Sequence, residues 1–362
     1  MWNRRIIALA VTVGIATLGA AAPAAQAGWQ DEPIIADVNG DGLADRNTLG
    51  FLPGPGQCAV LVELGRPGGG YGPVQSYPYL SAPYCPDMGV GLNLDSDAPD
   101  ELVVAWFAGR PPSVASDLLA LDSFQVSAGF DTIFQPSFIG TADFDGDGRL
   151  DVYEWTDQGD GFATYLNTGT GALVAGPVHY CSGRPDYRLA DFDADGAMDV
   201  TIAYAEGCAG HFAGVVVVLD DGTVLDLHAD PDGDDHWSVE VAEVNNDGIL
   251  DVLTHSDVTG ADTVFLGTGD GRFVRAPVAV RDYPTVPGAK SSGIQVKAND
   301  YATSRARVTI LVPPTHGTVR VTTNGTVVYT PHRQHGGTDR FVYRLSEGAR
   351  SSNATVSLRI RD

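Results

Sequence analysis

An acidic nine-residue pattern recurs along the chain and restricts the folds open to it. The first copy runs from Asp37 to Asp45, with oxygen-bearing side chains at positions 1, 3, 5 and 9: Asp37, Asn39, Asp41 and Asp45. The same positions hold Asp143, Asp145, Asp147 and Asp151, then Asp191, Asp193, Asp195 and Asp199, then Glu243, Asn245, Asp247 and Asp251. A degenerate copy offers Asn93, Asp95, Asp97 and Glu101, with Ala98 and Pro99 after Asp97. The first positions lie 56, 50, 48 and 52 residues apart. A fixed period of this size signals stacked supersecondary units.

Coordination of a hard cation accounts for the pattern. Calcium takes about six to eight oxygens. Side chains at positions 1, 3 and 5 converge if the chain curls tightly, which glycine at position 6 (Gly42, Gly148, Gly196, Gly248) permits. The backbone carbonyl of position 7 (Leu43, Arg149, Ala197, Ile249) adds a ligand, and the acid at position 9 adds one or two. Without an ion, so many neighbouring carboxylates would repel one another. A single copy could be an acidic turn; five at regular spacing are expected to bind Ca2+. The copy at Asp143 also satisfies the EF-hand pattern through Glu154, but its flanks read as strands, whereas an EF-hand needs a helix on each side.

About 20 residues after several copies comes a glycine-turn hairpin, such as Tyr165-Leu-Asn-Thr-Gly-Thr-Gly-Ala-Leu or Phe265-Leu-Gly-Thr-Gly-Asp-Gly-Arg-Phe. The unit Ala-Asp-Phe-Asp-Gly-Asp-Gly, an apolar strand and then this hairpin resembles the FG-GAP/VCBS repeat of integrin-α-like proteins over residues 28–285. The resemblance implies an all-β fold: a calcium-binding β-propeller of about five blades, each of four antiparallel strands with the acidic loop joining two of them.

After Tyr283-Pro-Thr-Val-Pro-Gly, alternating runs such as Val308-Thr-Ile-Leu-Val and Arg340-Phe-Val-Tyr-Arg, separated by turn residues, predict a small β-sandwich over 286–362. The strings Ala298-Asn-Asp, Pro314-Thr-His-Gly-Thr-Val and Gly337-Thr-Asp-Arg-Phe-Val-Tyr resemble bacterial Ig-like or cadherin-like domains. A calcium role for Asp300 or Asp339 is a lesser alternative. Charge supports the division: residues 28–285 carry a formal −33 and residues 286–362 a formal +7.

The chain opens with Arg4-Arg5, an apolar run from Ile6 to Ala22 and Ala25-Gln26-Ala27. This reads as a signal peptide over 1–27, so the mature protein is expected to be secreted, without membrane insertion, and monomeric. Export permits disulfides. Cys58 and Cys85, like Cys181 and Cys208, stand 27 residues apart, so sequential pairing is simplest, although four cysteines allow three connectivities. A net charge of −24 argues against nucleic acid as a partner.

No Gly-x-Ser-x-Gly, His-Glu-x-x-His or Ser/Lys motif is present, so no catalytic residue is assigned and a non-enzymatic role is expected. The expected function is binding or adhesion to an extracellular glycan or protein ligand. A secreted polysaccharide lyase or hydrolase is the alternative, and a purely structural envelope protein the third reading. Trp106, Trp155 and Trp237 read as core residues before sugar-stacking ones. The segment from His228 to His236 reads as an acidic loop before a metal site.

Overall fold

The computed structural model describes residues 28–361 apart from short stretches, of which 157–160, 208–212 and 231–235 are the longest. The expected signal peptide, Cys208 and most of the loop between His228 and His236 lie outside the described residues. Every regular element among them is a strand.

Up to Arg275 the main strands form five successive antiparallel sheets. The first contains Ile34–Ala36, Asp45–Phe51, Gln57–Glu63 and Gln75–Ser81 in sequential order. The second contains Met88–Leu92, Glu101–Ala105, Leu118–Asp122 and Gln125–Phe130, with Gly28–Trp29 added beside its first strand. The third runs Phe138–Ala142, Asp151–Trp155, Phe162–Asn167, Leu173–Tyr180, and the fourth Asp186–Ala190, Asp199–Tyr204, Ala213–Val218, Val224–Asp230. The fifth runs Trp237–Ala242, Asp251–Ser256, Asp262–Gly267, Phe273–Arg275. Central strands such as Ala213–Val218 are β-branched and buried along their length, as a strand covered on both faces requires. Fourth strands such as Gln125–Phe130 are largely exposed.

The apolar cores lie between sheets. Ile34, Val60 and Val62 of the first sheet pack with Leu102, Val104 and Leu121 of the second. Val90, Val103 and Ala120 of the second share a core with Ile139, Val152 and Tyr165 of the third. Phe144, Tyr153 and Phe162 then meet Ile202, Tyr204 and Val216 of the fourth, and Phe192 and Val217 meet Val252 and Phe265 of the fifth. No such core joins the fifth sheet to the first among the described residues, so the expected five-bladed ring is corrected to a row of stacked sheets without closure. Closure needs a broad apolar face on the fifth sheet. Its first strand is mostly half-exposed, and its last is three residues long.

Trp106 is 2% exposed in the first intersheet core, and Trp155 packs in the third. Trp237 stacks on His228 with ring centroids 4.3 Å apart. All three are packing residues, as their sequence context indicates.

Cys58 and Cys85 form a disulfide, with Cα atoms 5.4 Å apart, that ties the third strand of the first sheet to the segment entering the second. Cys181 is also disulfide-bonded. Closing a loop of this size limits the unfolded chain, so Cys58→Ser is expected to cost about 3–4 kcal/mol, read as a lowered urea midpoint.

The C-terminal unit is a two-sheet sandwich. One sheet orders Thr285–Pro287, Arg350–Arg361, Gly337–Glu347 and Arg307–Val312; the other orders Ser292–Ile294, Val327–Pro331 and Gly317–Val321. Phe341, Tyr343, Val356, Val327 and Tyr329 fill its core. Its two acids of interest hold strands in place. Asp300 accepts hydrogen bonds from the Tyr343 hydroxyl (2.6 Å) and the Val280 amide (2.8 Å), and Asp339 from the Tyr329 hydroxyl (2.9 Å) and the His316 amide (3.0 Å).

Candidate metal centres in the acidic loops

Each acidic loop joins the first and second strands of one sheet, and its ninth residue opens the second strand. The curl has two backbone requirements. Position 6 is left-handed at Gly42, Gly148, Gly196 and Gly248 (φ 82°, 85°, 101° and 85°). In the four loops where position 4 is described it is left-handed as well, even where it is not glycine: Ser96 (φ 68°) and Ala194 (φ 63°) stand where Gly40 and Gly146 stand in other loops. A left-handed conformation strains an L side chain, so these two residues are held by the loop around them.

The carboxylates nucleate the curl. In the first loop one Asp37 oxygen accepts the Gly42 amide at 2.7 Å, and Asp41 accepts the Leu43 amide at 2.9 Å. The third loop repeats this with Gly148 on Asp143 (2.8 Å) and Arg149 on Asp147 (2.8 Å). The fourth repeats it with Gly196 on Asp191 (3.1 Å) and Ala197 on Asp195 (2.8 Å), and in the fifth Ile249 donates to Asp247 (2.9 Å). The carbonyls of Leu43, Arg149, Ala197 and Ile249, expected ligands from the spacing, therefore belong to residues whose amides are tied to the fifth position. The degenerate loop differs because Ala98 is absent from the left-handed set. Asn93 spends its side chain inside the loop, accepting from the Ser96 amide and donating to the Asp97 carbonyl.

The ninth acid has a second task that spacing alone does not reveal. Asp45, Asp151, Asp199 and Asp251 are 0–1% exposed, and Glu101 is 3% exposed. One oxygen of each accepts the amide of position 2: Val38, Leu94, Phe144, Phe192 and Val244. In four sheets the other oxygen accepts an amide from the glycine-turn hairpin: Gly65 (2.7 Å), Asn167 (2.7 Å), Asp220 (2.8 Å) and Gly267 (2.9 Å). The acid thus locks loop to hairpin. Burial pushes the Glu101 and Asp199 carboxyls up to about 7 and Asp151 up to about 6, against the amide hydrogen bonds that favour the charged forms.

Three loops bring three carboxylates within 4.8 Å of one another: Asp95, Asp97 and Glu101; Asp143, Asp145 and Asp151; Asp191, Asp193 and Asp199. Asp147 is drawn instead into an ion pair with Arg149. In the first and fifth loops Asn39 and Asn245 occupy position 3 and donate to Asp41 (3.0 Å) and Asp247 (2.8 Å), so fewer carboxylates converge on those centres. The all-oxygen donor sets fit a hard divalent cation. Glu154 takes no part in a loop: it is buried on its strand and accepts a hydrogen bond from the Tyr165 hydroxyl, so the EF-hand pattern there is coincidental.

The loops also lie against neighbouring sheets. The Asp100 amide donates to the Asp37 carbonyl (2.7 Å), Met198 to Asp143 (2.8 Å) and Gly171 to Leu94 (2.8 Å). A side chain at Gly40 would press on Ala98 at 3.1 Å. Ordering one loop therefore orders a junction between sheets.

A separate cleft of about 340 Å³ lies between the fifth sheet and the C-terminal unit, lined by Glu240, Thr254, His255, Asp262 and Tyr301. His255 Nδ1 lies 2.7 Å from an Asp262 oxygen. No motif marks this grouping, because its residues are scattered over three strands and the sandwich.

No relative was found among the curated proteins. An endo-fucoidan hydrolase of glycoside hydrolase family 107 aligns with 36% of the chain and 29% of its own length at 14% identity and a TM-score of 0.20. A second hydrolase of that family aligns with 57% of the chain and 44% of its own length at 12% identity and a TM-score of 0.20. A SusE-like surface-located polysaccharide-binding protein from the Bacteroides thetaiotaomicron heparin utilisation locus aligns with 80% of the chain and 51% of its own length at 11% identity and a TM-score of 0.19. The chain thus spans between 29% and 51% of the length of these structures. Family models match two segments, residues 143–202 as an FG-GAP-like repeat and residues 275–359 as a bacterial Ig domain. With the third acidic loop opening the first match and the two-sheet sandwich filling the second, the chain carries an FG-GAP-like repeat followed by a bacterial Ig domain.

Proposed function

We propose that the chain is a secreted, calcium-stabilised, monomeric binding module for an extracellular glycan or protein ligand. The observation that carries this reading is the convergence of carboxylates in loops that also form the junctions between sheets. Calcium neutralises each loop and so holds adjacent sheets together, while the exposed loops around them present the ligand-binding surface. The ion's role is structural, supplying charge compensation and fixed coordination.

A second reading, a carbohydrate-active enzyme, draws on the cleft beside the sandwich, where His255, Asp262, Tyr301 and Glu240 are grouped. One experiment addresses both. The intact chain is incubated with insoluble polysaccharides and cell-wall preparations in calcium and in EDTA. Saturable retention by one polymer, lost in EDTA, is the expected result. Retention followed by release of new chain ends, abolished by His255→Ala, favours the enzyme. No retention on any polymer removes the glycan as ligand.

A further inference from the structure

The C-terminal sandwich has an open side, where Arg307–Val312 is the edge strand of one sheet and Gly317–Val321 the edge strand of the other. A cleft of about 390 Å³ lies there, within the range of roughly 300–1,000 Å³ that small-ligand sites occupy. Its floor is apolar: Ala306 and Val308 are buried and Val321 is half-buried. Its rim carries three cations, Lys297, Arg305 and Arg307, and among the described residues no Asp or Glu lines it.

These cations are placed differently from the others in the chain. In the repeat region Arg46, Arg110, Arg149, Arg188 and Arg272 each pair with a carboxylate. Lys297 and Arg307 form no ion pair among the described residues. The Lys297 charge reaches Asp300, yet burial acts on that carboxyl more strongly, and its oxygen is engaged by Tyr343 and Val280. Lys297 is also held in position. Its ammonium donates to the Ala306 carbonyl at 3.4 Å, and its stem packs on the left-handed turn at Gly325, where a Cβ would meet Lys297 Cε at 3.1 Å. Neutral donors complete the rim. Thr309 and Thr323 contribute exposed hydroxyls, and Asn324 accepts the Thr326 amide (3.3 Å) through its side-chain oxygen, which leaves its NH2 group as a donor.

We propose that this cleft binds an acidic polysaccharide, with Lys297, Arg305 and Arg307 holding a carboxylate or sulfate group of one sugar. This rests on the glycan reading of the chain and deepens it by naming the site and the substrate class. Three cations around one cleft repel one another until an anion enters, and guanidinium groups hold carboxylate-like oxygens through paired hydrogen bonds. The hydroxyls and the Asn324 amide suit sugar hydroxyls, and the apolar floor suits the carbon face of a ring. The rest of the chain sharpens selectivity. A formal −33 over residues 28–285 repels polyanions, so one that binds must be held at a local site.

The test is isothermal titration of the intact chain, in calcium, with polygalacturonate (carboxylate), dextran sulfate (sulfate), neutral dextran and polyglutamate. The variant Lys297→Gln/Arg307→Gln is compared with Arg359→Gln/Arg361→Gln, which removes the same charge from a strand away from the cleft. Circular dichroism melts verify folding, and Arg307→Gln alone, at an exposed position, serves if the double variant melts early. Binding of at least one of the two acidic polysaccharides is expected, tighter than polyglutamate and without uptake of dextran. It should weaken about tenfold or more in the cleft variant and stay unchanged in the control. The better of the two polymers identifies the anionic group. Equal weakening in both variants assigns the binding to diffuse charge, and no weakening in either assigns it to calcium bridging at the acidic loops; both overturn the site. Polyglutamate binding as tightly as the polysaccharides overturns the glycan and makes an acidic protein the partner. If the chain binds neither acidic polysaccharide but is retained by a neutral one, this inference fails and the glycan reading stands; retention by no polymer removes both.

Discussion

Stripping calcium with EDTA at pH 8 is expected to lower the thermal midpoint of the repeat region on the order of 15–30 °C. A ligand at about 100 times its dissociation constant stabilises by about 2.7 kcal/mol per site. Three loops with converging carboxylates, at roughly 2–4 °C per kcal/mol for a unit of this size, give that range. The pH dependence identifies the cause. Without metal, Glu101, Asp151 and Asp199 have folded-state pKa values of about 7, 6 and 7, raised first by burial, against ordinary values of 4.5, 3.8 and 3.8. Their contribution to stability is full below the unfolded values and is lost as pH rises through about 6–7. In EDTA the chain should therefore melt higher at pH 5 than at pH 8. In calcium the order should reverse, because the ion needs the deprotonated carboxylates. Calorimetry at the two pH values, with and without calcium, reads both effects. Identical melts with and without EDTA at pH 8 would remove calcium from the account.

Replacing the ninth acid should be damaging even when no metal is present. Asp151→Ala strips the acceptor from two buried amides, those of Phe144 and Asn167, both 2.7 Å away. Hydrogen bonds to a charged acceptor contribute about 1.5–3 kcal/mol each, and the abandoned amides stay desolvated, so a loss of about 3–5 kcal/mol is expected in EDTA. Asp145→Ala removes an exposed side chain whose one hydrogen bond closes a turn. It should leave the EDTA midpoint within about 0.5–1 kcal/mol of the unmutated chain and weaken the gain from added calcium. Urea denaturation of both variants in each condition separates the roles. Equal losses for the two in EDTA would mean that the ninth acid is not the link between loop and hairpin.

Much of this was legible in the residues. The five acidic copies, their period and the glycine hairpins marked the repeating β unit, because ligand-type oxygens and left-handed glycines must sit at fixed offsets for the chain to curl. Alternating apolar runs and reversed charge marked the sandwich. The spacing of Cys58 and Cys85 made their pairing the simplest one, and Cα atoms 5.4 Å apart realise it. Less legible was the division of labour inside each loop. Spacing assigns Asp145 and Asp151 the same task, yet one is exposed and the other is buried with both oxygens engaged.

What the sequence by itself determined is therefore local: strand against turn, loop geometry and the oxygen-rich chemistry of the loops. These follow from backbone conformation and side-chain type over a few residues. The tertiary structure alone decided that the sheets stack in a row without closing, that the ninth acids bind hairpins, and that His255 and Asp262 face Tyr301 across a cleft. Each depends on which distant segments share a face. The shape and burial of whole sheets set that, and no short-range pattern encodes it.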